Sequence, residues 1–156
     1  MRYTRPVVYL GNHIGKNVVF GEYVLIRQDN EIGSNVRIGS YTEIAHNVIV
    51  EDDVQIHSHC FIAEGTIIGE NTWIGPHTIL INDNYPQTNG KYRKSVKIGK
   101  NVIIGASCTI MPGIEIGENA FIGAGSVVTK NVPNGEVWYG SPAKYIKVKD
   151  KLDAYK

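Results

Sequence analysis

The sequence predicts an all-β chain wound into a parallel β-helix, and three observations predict it. The first is a strict period of six. Counting from Ile14 gives Ile14, Phe20, Ile26, Ile32, Ile38, Ile44, Val50, Ile56, Ile62, Ile68, Ile74 and Leu80. After an interruption the count resumes with Ile98, Ile104, Ile110, Ile116, Ile122 and Val128. All are large and apolar, and most are isoleucine, a period that serves no α-helix, whose apolar stripe follows 3.6 residues. The second is a Gly or Ala directly after most of them, such as Gly33, Gly75 and Gly123. The third is a recurrence three places after them: Asn at 17, 35, 47, 71, 101, 119 and 131, and Gly at 65, 113 and 125.

Each element follows from these choices. Isoleucine and valine suit a pleated strand. Asn and Gly tolerate positive φ, so their fixed place marks a corner in every hexad. Three short strands joined by three corners close a triangular coil of three hexads, and successive coils stack about 4.8 Å apart. The repeat covers coils at about 8–81 and 98–133, separated by one excursion at about 82–97 and followed by a short C-terminal segment, 134–156. Leu80 and Ile98 are separated by one full coil's count, so the ladder is expected to resume in phase. Within the excursion, Asn89-Gly90 is a strong tight-turn signal, with Thr88 and Lys91 flanking it.

At 156 residues with a net charge of +1, the chain fits one domain, and nothing in its charge points to nucleic acid or an anionic membrane. It has no apolar run long enough to span a bilayer, and the opening MRYTRPVVYLGNH lacks the apolar stretch of a signal peptide, so a cytoplasmic location is expected. Two cysteines suit a reducing compartment. Cys60 and Cys108 take the small inward position, on different faces by an uninterrupted count, and are expected to be buried and unpaired.

Residues one coil apart stack, so the surface reads as columns. One runs Gln28, His46, Glu64, Asn82, Lys100. Another runs Tyr23, Tyr41, His59, His77. Outward polar columns occur on every solvated β-helix. The first is singled out because it ends beside the interruption, and loops on rigid scaffolds commonly carry function. His57 stands between Gly39 and Gly75, where there is room. Lys91, Arg93 and Lys94 make the excursion basic.

The segment INDNYP, followed by IGKNVIIGASCTIMPGIEIGENAFIGAGSVVTKNVPNGEVWYGSPAKYIK, resembles the hexapeptide-repeat acyltransferases over roughly residues 8–148. IGAGSVVTKNVP with GSPAKYI is the specific part. IAEGTIIGENTWIGPHTILINDNYP is similar to the branch that N-acetylates nucleotide-linked deoxyaminosugars. The resemblance implies a left-handed helix, acetyl-CoA as co-substrate, no metal, a homotrimer with sites between neighbours, and a small sugar acceptor. It implies that Asn82 and Asp83 belong to the active site. Glu64, His77 and His59 are the further catalytic candidates, and His57, Lys91 and Arg93 are placed with the acceptor. Gly105, Ala106, Gly123 and Ala124 are expected to let the pantetheine arm approach the backbone. Lys130, Lys144 and Lys147 are candidates for the phosphates of CoA.

One departure from the family bears on chemistry. Galactoside and maltose O-acetyltransferases carry a catalytic histidine where this chain has Ser107. A hydroxyl acceptor needs a general base, whereas a neutral amine is already nucleophilic, which favours N-acetylation over sugar O-acetylation. A γ-class carbonic anhydrase would need zinc-ligand spacing that histidines 13, 46, 57, 59 and 77 do not offer. A non-catalytic or ice-binding β-helix would need a flat threonine array, and no face shows one.

Overall fold

The computed structural model describes residues 6–149; the end of the expected C-terminal segment, 150–156, lies outside the described residues. Two-residue strands recur every six positions from β1 (Val7–Val8) to β13 (Ile79–Leu80) and again from β14 (Lys97–Ile98) to β19 (Val127–Val128), and stack into three parallel sheets. Sheet A holds β1, β4 (Leu25–Ile26), β7 (Glu43–Ile44), β10 (Phe61–Ile62), β13 (Ile79–Leu80), β16 (Thr109–Ile110) and β19. Sheet B runs from β2 (His13–Ile14) to β17 (Glu115–Ile116). Sheet C runs from β3 (Val19–Phe20) to β18 (Phe121–Ile122), then adds β20 (Glu136–Gly140) and β21 (Ala143–Val148). This last pair is an antiparallel hairpin laid on the sheet edge.

The residues counted in sixes fill the prism: Ile26, Ile44, Ile62, Ile68, Ile74, Leu80, Ile104 and Ile110 are fully buried. The residues four places on complete each layer, and where they are polar they are satisfied. Thr42, Thr72 and Thr78 donate to the carbonyls of His57, Gly99 and Gly105 at 2.9–3.0 Å, which removes the penalty of a buried hydroxyl. Buried Asn30 stitches three coils. It donates to Arg27 O at 2.9 Å, its Oδ1 accepts from Val48 N at 2.7 Å, and its backbone N–H donates to Asn12 Oδ1 at 2.9 Å.

The corners carry positive φ at the expected place. Asn17, Asn35, Asn47, Asn71, Asn101 and Asn119 adopt it, as do Gly65, Gly113 and Gly125. Asn131 does not; at the last coil its Oδ1 accepts from Glu115 N at 2.9 Å instead. Tyr23, Tyr41, His59, His77 and Ser107 also take φ of 56–61°, a left-handed conformation costing about 1 kcal/mol or more for residues with a Cβ.

The excursion changes the phase. Partners along each sheet are three hexads apart in ordinary coils, as with Phe61 and Ile79, but Ile67 pairs with Lys97 and Ile79 with Thr109, five hexads apart. Leu80 belongs to sheet A and Ile98 to sheet B, so they are one corner apart and the excursion inserts two hexads. The expectation that the ladder resumes in phase is thereby corrected, and two placements fall with it. Lys100 does not stack on Asn82; it lies beside Glu70, with its Nζ 3.1 Å from Glu70 Oε2 and 3.8 Å from Glu51 Oε2. Cys60 and Cys108 are not on different faces. Both are buried and unpaired in one column with Thr78 between them, whose Oγ1 accepts from Cys108 N.

Candidate functional site

The candidate residues fall on two edges of the prism, at either side of sheet A. On the edge between sheets C and A stand Tyr23, Tyr41, His59 and His77, then Ser107. The four rings from Tyr23 to His77 stack, with centroids 4.9, 4.9 and 4.8 Å apart and interplanar angles of 15°, 13° and 4°. That spacing equals the coil repeat, so the left-handed corner and the ladder together fix the rings as a column. His57 lies on the same edge, and its ring meets Trp73 at 4.7 Å. Gly105, Ala106, Gly123 and Ala124 follow one and two places after the late sheet C strands, also on this edge. The two glycines have a reason of their own. A Cβ on Gly105 would collide with Ala124 N, and one on Gly123 would come within 2.6 Å of Tyr139 Cβ. Close coil stacking therefore requires them, whatever approaches from outside.

On the edge between sheets A and B, Gln28, His46, Glu64 and Asn82 stack as expected; Lys94 and then the Pro112–Gly113 corner follow in place of Lys100, with Gly113 N donating to Lys94 O at 2.9 Å, and Lys130 lies one coil further on. Asn82 Nδ2 donates to the Glu64 carbonyl at 3.3 Å. The arm grows from this point. Asp83 Oδ1 accepts from Tyr85 N at 2.7 Å, and a 3-10 turn spans Pro86–Thr88. Asn89 and Gly90 both take positive φ, 53° and 81°, and Lys91 N donates to Thr88 O at 3.3 Å, the tight turn expected from the sequence. Tyr85 and Tyr92 meet edge to face at 6.2 Å, and Lys91 Nζ sits 5.4 Å from the Tyr92 ring centre. The arm returns to the coil through Lys94 N, which donates to Asn82 O at 2.7 Å.

One contact ties the arm to the column. Arg93 Nη1 donates to Glu64 Oε2 at 2.7 Å, with both side chains partly exposed. No spacing in the sequence links Arg93 to Glu64; only the fold of the arm brings them together. Within one chain the two edges do not meet. His77 and Asn82 are five positions apart across sheet A, about 16 Å at strand rise. Lys144 and Lys147 are exposed on β21, beyond the last coil. No group of three or more metal-binding side chains occurs among the described residues, and no helix there is long and apolar enough to cross a membrane.

The bacterial transferase hexapeptide (six repeats) family matches residues 31–64 and 95–130, on both sides of the arm. In these two stretches the chain is similar to bacterial hexapeptide transferases. It is 46% identical to Protein CapG of Staphylococcus aureus over 76 residues, 49% of this chain and 41% of that protein. It is 34% identical to galactoside O-acetyltransferase of Lactococcus lactis over 74 residues, 44% of this chain and 36% of that enzyme. The matches thus span about two fifths of the length of these relatives. Among solved structures, it resembles AntD, an N-acyltransferase from Bacillus cereus solved in complex with dTDP and coenzyme A. The TM-score is 0.76 at 25% identity, covering 91% of this chain and 86% of AntD. Another AntD structure holds dTDP-4-amino-4,6-dideoxyglucose and coenzyme A, and matches at 28% identity with a TM-score of 0.63, covering 88% of this chain and 84% of AntD.

Proposed function

We propose that the chain is an acetyl-CoA-dependent acetyltransferase that acts as a homotrimer and N-acetylates a nucleotide-linked deoxyaminosugar in the cytoplasm. The observation that carries this reading is Glu64 stacked one coil below Asn82 at the foot of a basic arm. A carboxylate there suits an acceptor ammonium, and an amide donor beside it suits orientation of the amine or the developing oxyanion; one such donor is typically worth about 10²–10³ in rate. The neutral amine attacks the thioester carbonyl, the C–N bond forms, the C–S bond breaks, and the sulfur leaves as CoA thiol with the proton released by the amine. Likeness to AntD, solved with dTDP and coenzyme A, supports both co-substrates. Lys130, Lys144 and Lys147 are assigned to the phosphates of CoA, and the edge bearing Gly105, Ala106, Gly123 and Ala124 to its pantetheine.

Assembly between copies follows from the division of the candidates over two edges. Neighbouring prisms bring one subunit's arm edge against another's histidine edge, so His59, His77 and His57 line the pocket that Glu64, Asn82 and Asp83 open. The outward residues support this. Around the arm, sheet A presents Phe61 and Ile79 beside a single carboxylate, Glu43, and the later half of sheet C presents Trp73, Ile103 and Phe121, while sheet B sets Ile49 and Ile67 among His13, Glu31, Lys97 and Glu115. Two apolar faces flanking one edge are what a subunit contact needs.

The test is a panel of nucleotide-linked aminosugars with acetyl-CoA and thiol detection, on wild type and on Glu64→Ala and Asn82→Ala. Both variants should lose kcat/KM for the acceptor far more than affinity for CoA. Near wild-type turnover in both would show that the site lies elsewhere. A second reading, O-acetylation of a sugar, is favoured by one observation: His77 lies one coil from Ser107 on the same edge, within reach of a hydroxyl bound there. His77→Asn keeps a residue suited to positive φ, and loss of all turnover on hydroxyl acceptors would select that reading.

A further inference from the structure

The carboxylate that would receive the acceptor's ammonium is already occupied. Arg93, carried on the arm, holds Glu64 Oε2 at 2.7 Å. We propose that Arg93 is a specificity-determining residue that guards Glu64, and that an acceptor bearing both an amine and a diphosphate displaces it. This rests on the acceptor reading above and deepens it.

The exchange is physically balanced. Both side chains are partly exposed, 50% for Arg93 and 37% for Glu64, and such pairs are weak enough to trade partners. A guanidinium fork matches phosphate oxygens two at a time, and a diphosphate offers it more charge than one carboxylate. When Arg93 turns to the diphosphate, Glu64 takes the ammonium, so neither ion is left bare. An amine without a diphosphate must instead compete with Arg93 for Glu64, and its gain is offset by the pair it breaks. Selection against that competitor is built from the pre-existing pair, in the way specificity is commonly obtained by opposing the wrong partner.

The arm is built for such a turn of one side chain. Its backbone is pinned on both sides of the guard, with Arg93 N on Gly90 O at 3.2 Å and Lys94 N on Asn82 O at 2.7 Å. The Arg93 side chain folds back over the turn; a Cβ on Gly90 would lie 2.6 Å from its Nε. Gly90 thus leaves the passage through which Arg93 reaches Glu64, and rotation about the side chain alone releases the carboxylate. Tyr85 and Tyr92 stand exposed beside it, offering rings to a base attached to the diphosphate.

Two measurements on the full chain test the guard. The first compares kcat/KM for a nucleotide-linked aminosugar with that for the methyl glycoside of the same aminosugar. Arg93→Met should lower the first about tenfold or more and raise the second a few-fold, as a charge-assisted contact is lost from one and a competitor removed from the other. An equal fall in both, or no change in either, overturns the proposal. The second is calorimetric titration with dTDP and, separately, with CoA, which also carries a diphosphate. Glu64→Gln should tighten dTDP about two- to fivefold by freeing Arg93, and Arg93→Met should weaken it, with CoA affinity unmoved in both. Weakening of CoA alone would assign Arg93 to the co-substrate and overturn the guard. If wild type acetylates no aminosugar, the acceptor reading fails by itself, and the dTDP titration still decides whether Arg93 and Glu64 exchange.

Discussion

Cys60 and Cys108 sit in one inward column, each thiol donating to a carbonyl of the following coil, Gly75 O at 3.3 Å and Gly123 O at 3.2 Å. Burial is the main cause that pushes the Cys60 thiol up from its ordinary 9.0 to about 11, and it raises Cys108 in the same direction. The consequence for stability has a definite sign. Below pH 9 both folded and unfolded chains hold the proton, and nothing is lost. From pH 9 to about 11 the unfolded chain releases it while the fold cannot, so stability falls, by roughly 2–3 kcal/mol for Cys60 at saturation. Denaturant midpoints at pH 8 and pH 10.5 should therefore drop less for Cys60→Ala than for wild type; an identical drop would remove the effect. At the corner one position before Cys108, Ser107 donates its backbone N–H to Pro76 O at 2.8 Å, and its hydroxyl is assigned no step. Ser107→Ala should cost little turnover on an amine acceptor. A loss of several hundredfold, roughly 3–4 kcal/mol of transition-state free energy, would require the hydroxyl in the mechanism.

The arm is the element that interrupts the repeat, and its length of two whole hexads makes it a removable insert. Deleting residues 83–94 joins Asn82 to Ser95 and leaves Leu80 and Ile98 one hexad apart, with Ser95 at the corner place that Ser107 occupies elsewhere. Thermal stability should hold within a few degrees, while acceptor turnover collapses; an active deletion variant would make the arm dispensable. Coil glycines behave oppositely. Gly105→Ala drives a Cβ into Ala124 N, which is backbone and cannot yield. It should destabilise the fold by about 1–3 kcal/mol, and any loss of CoA binding should follow that unfolding. Gly125→Asn meets nothing within 4 Å at a φ of 70° and should be tolerated. The inward isoleucines, the corners and the tight turn at Asn89-Gly90 are legible in the sequence because they follow from local chemistry repeated in sixes. Cys108 and Lys100 are misplaced by such counting because a period of six is blind to how many hexads an insert contains. Only pairing across the insert, Ile67 with Lys97, fixes that. The left-handed corners at Tyr23, Tyr41, His59 and His77 hide behind side chains that disfavour them, and their hexad position alone carries the signal. The pairing of Arg93 with Glu64 is illegible, since it depends on how the arm folds back.

At the scale of the whole molecule, one prism holds the candidate groups on two separate edges, and assembly through its apolar faces is the route by which a homotrimer would join them. Phe61 and Ile79 remain 38% and 42% exposed on sheet A, on the strip that separates His59 and His77 from Glu64 and Asn82. Sheet B carries ions at both ends of its outer surface, including Lys97 paired with Glu115 at 3.0 Å, on either side of Ile49 and Ile67, and is the more polar of the faces that flank the arm. A trimer that packs sheet A and the edge it shares with sheet C would cover those side chains and set each arm against a neighbour's stacked histidines. Light scattering should then give three times the 17.2 kDa of one chain. Phe61→Arg with Ile79→Arg places two charges in that contact, where burial without partners is strongly unfavourable, and should yield a folded monomer without acceptor turnover. The matched control is Ile49→Arg on sheet B, also exposed, which should remain trimeric and active. The two results must move together: assembly and turnover are lost in the sheet A variant and kept in the sheet B variant. A monomeric sheet A variant that still acetylates its acceptor would place the whole site on one chain, and His59 and His77 would then have no part in it.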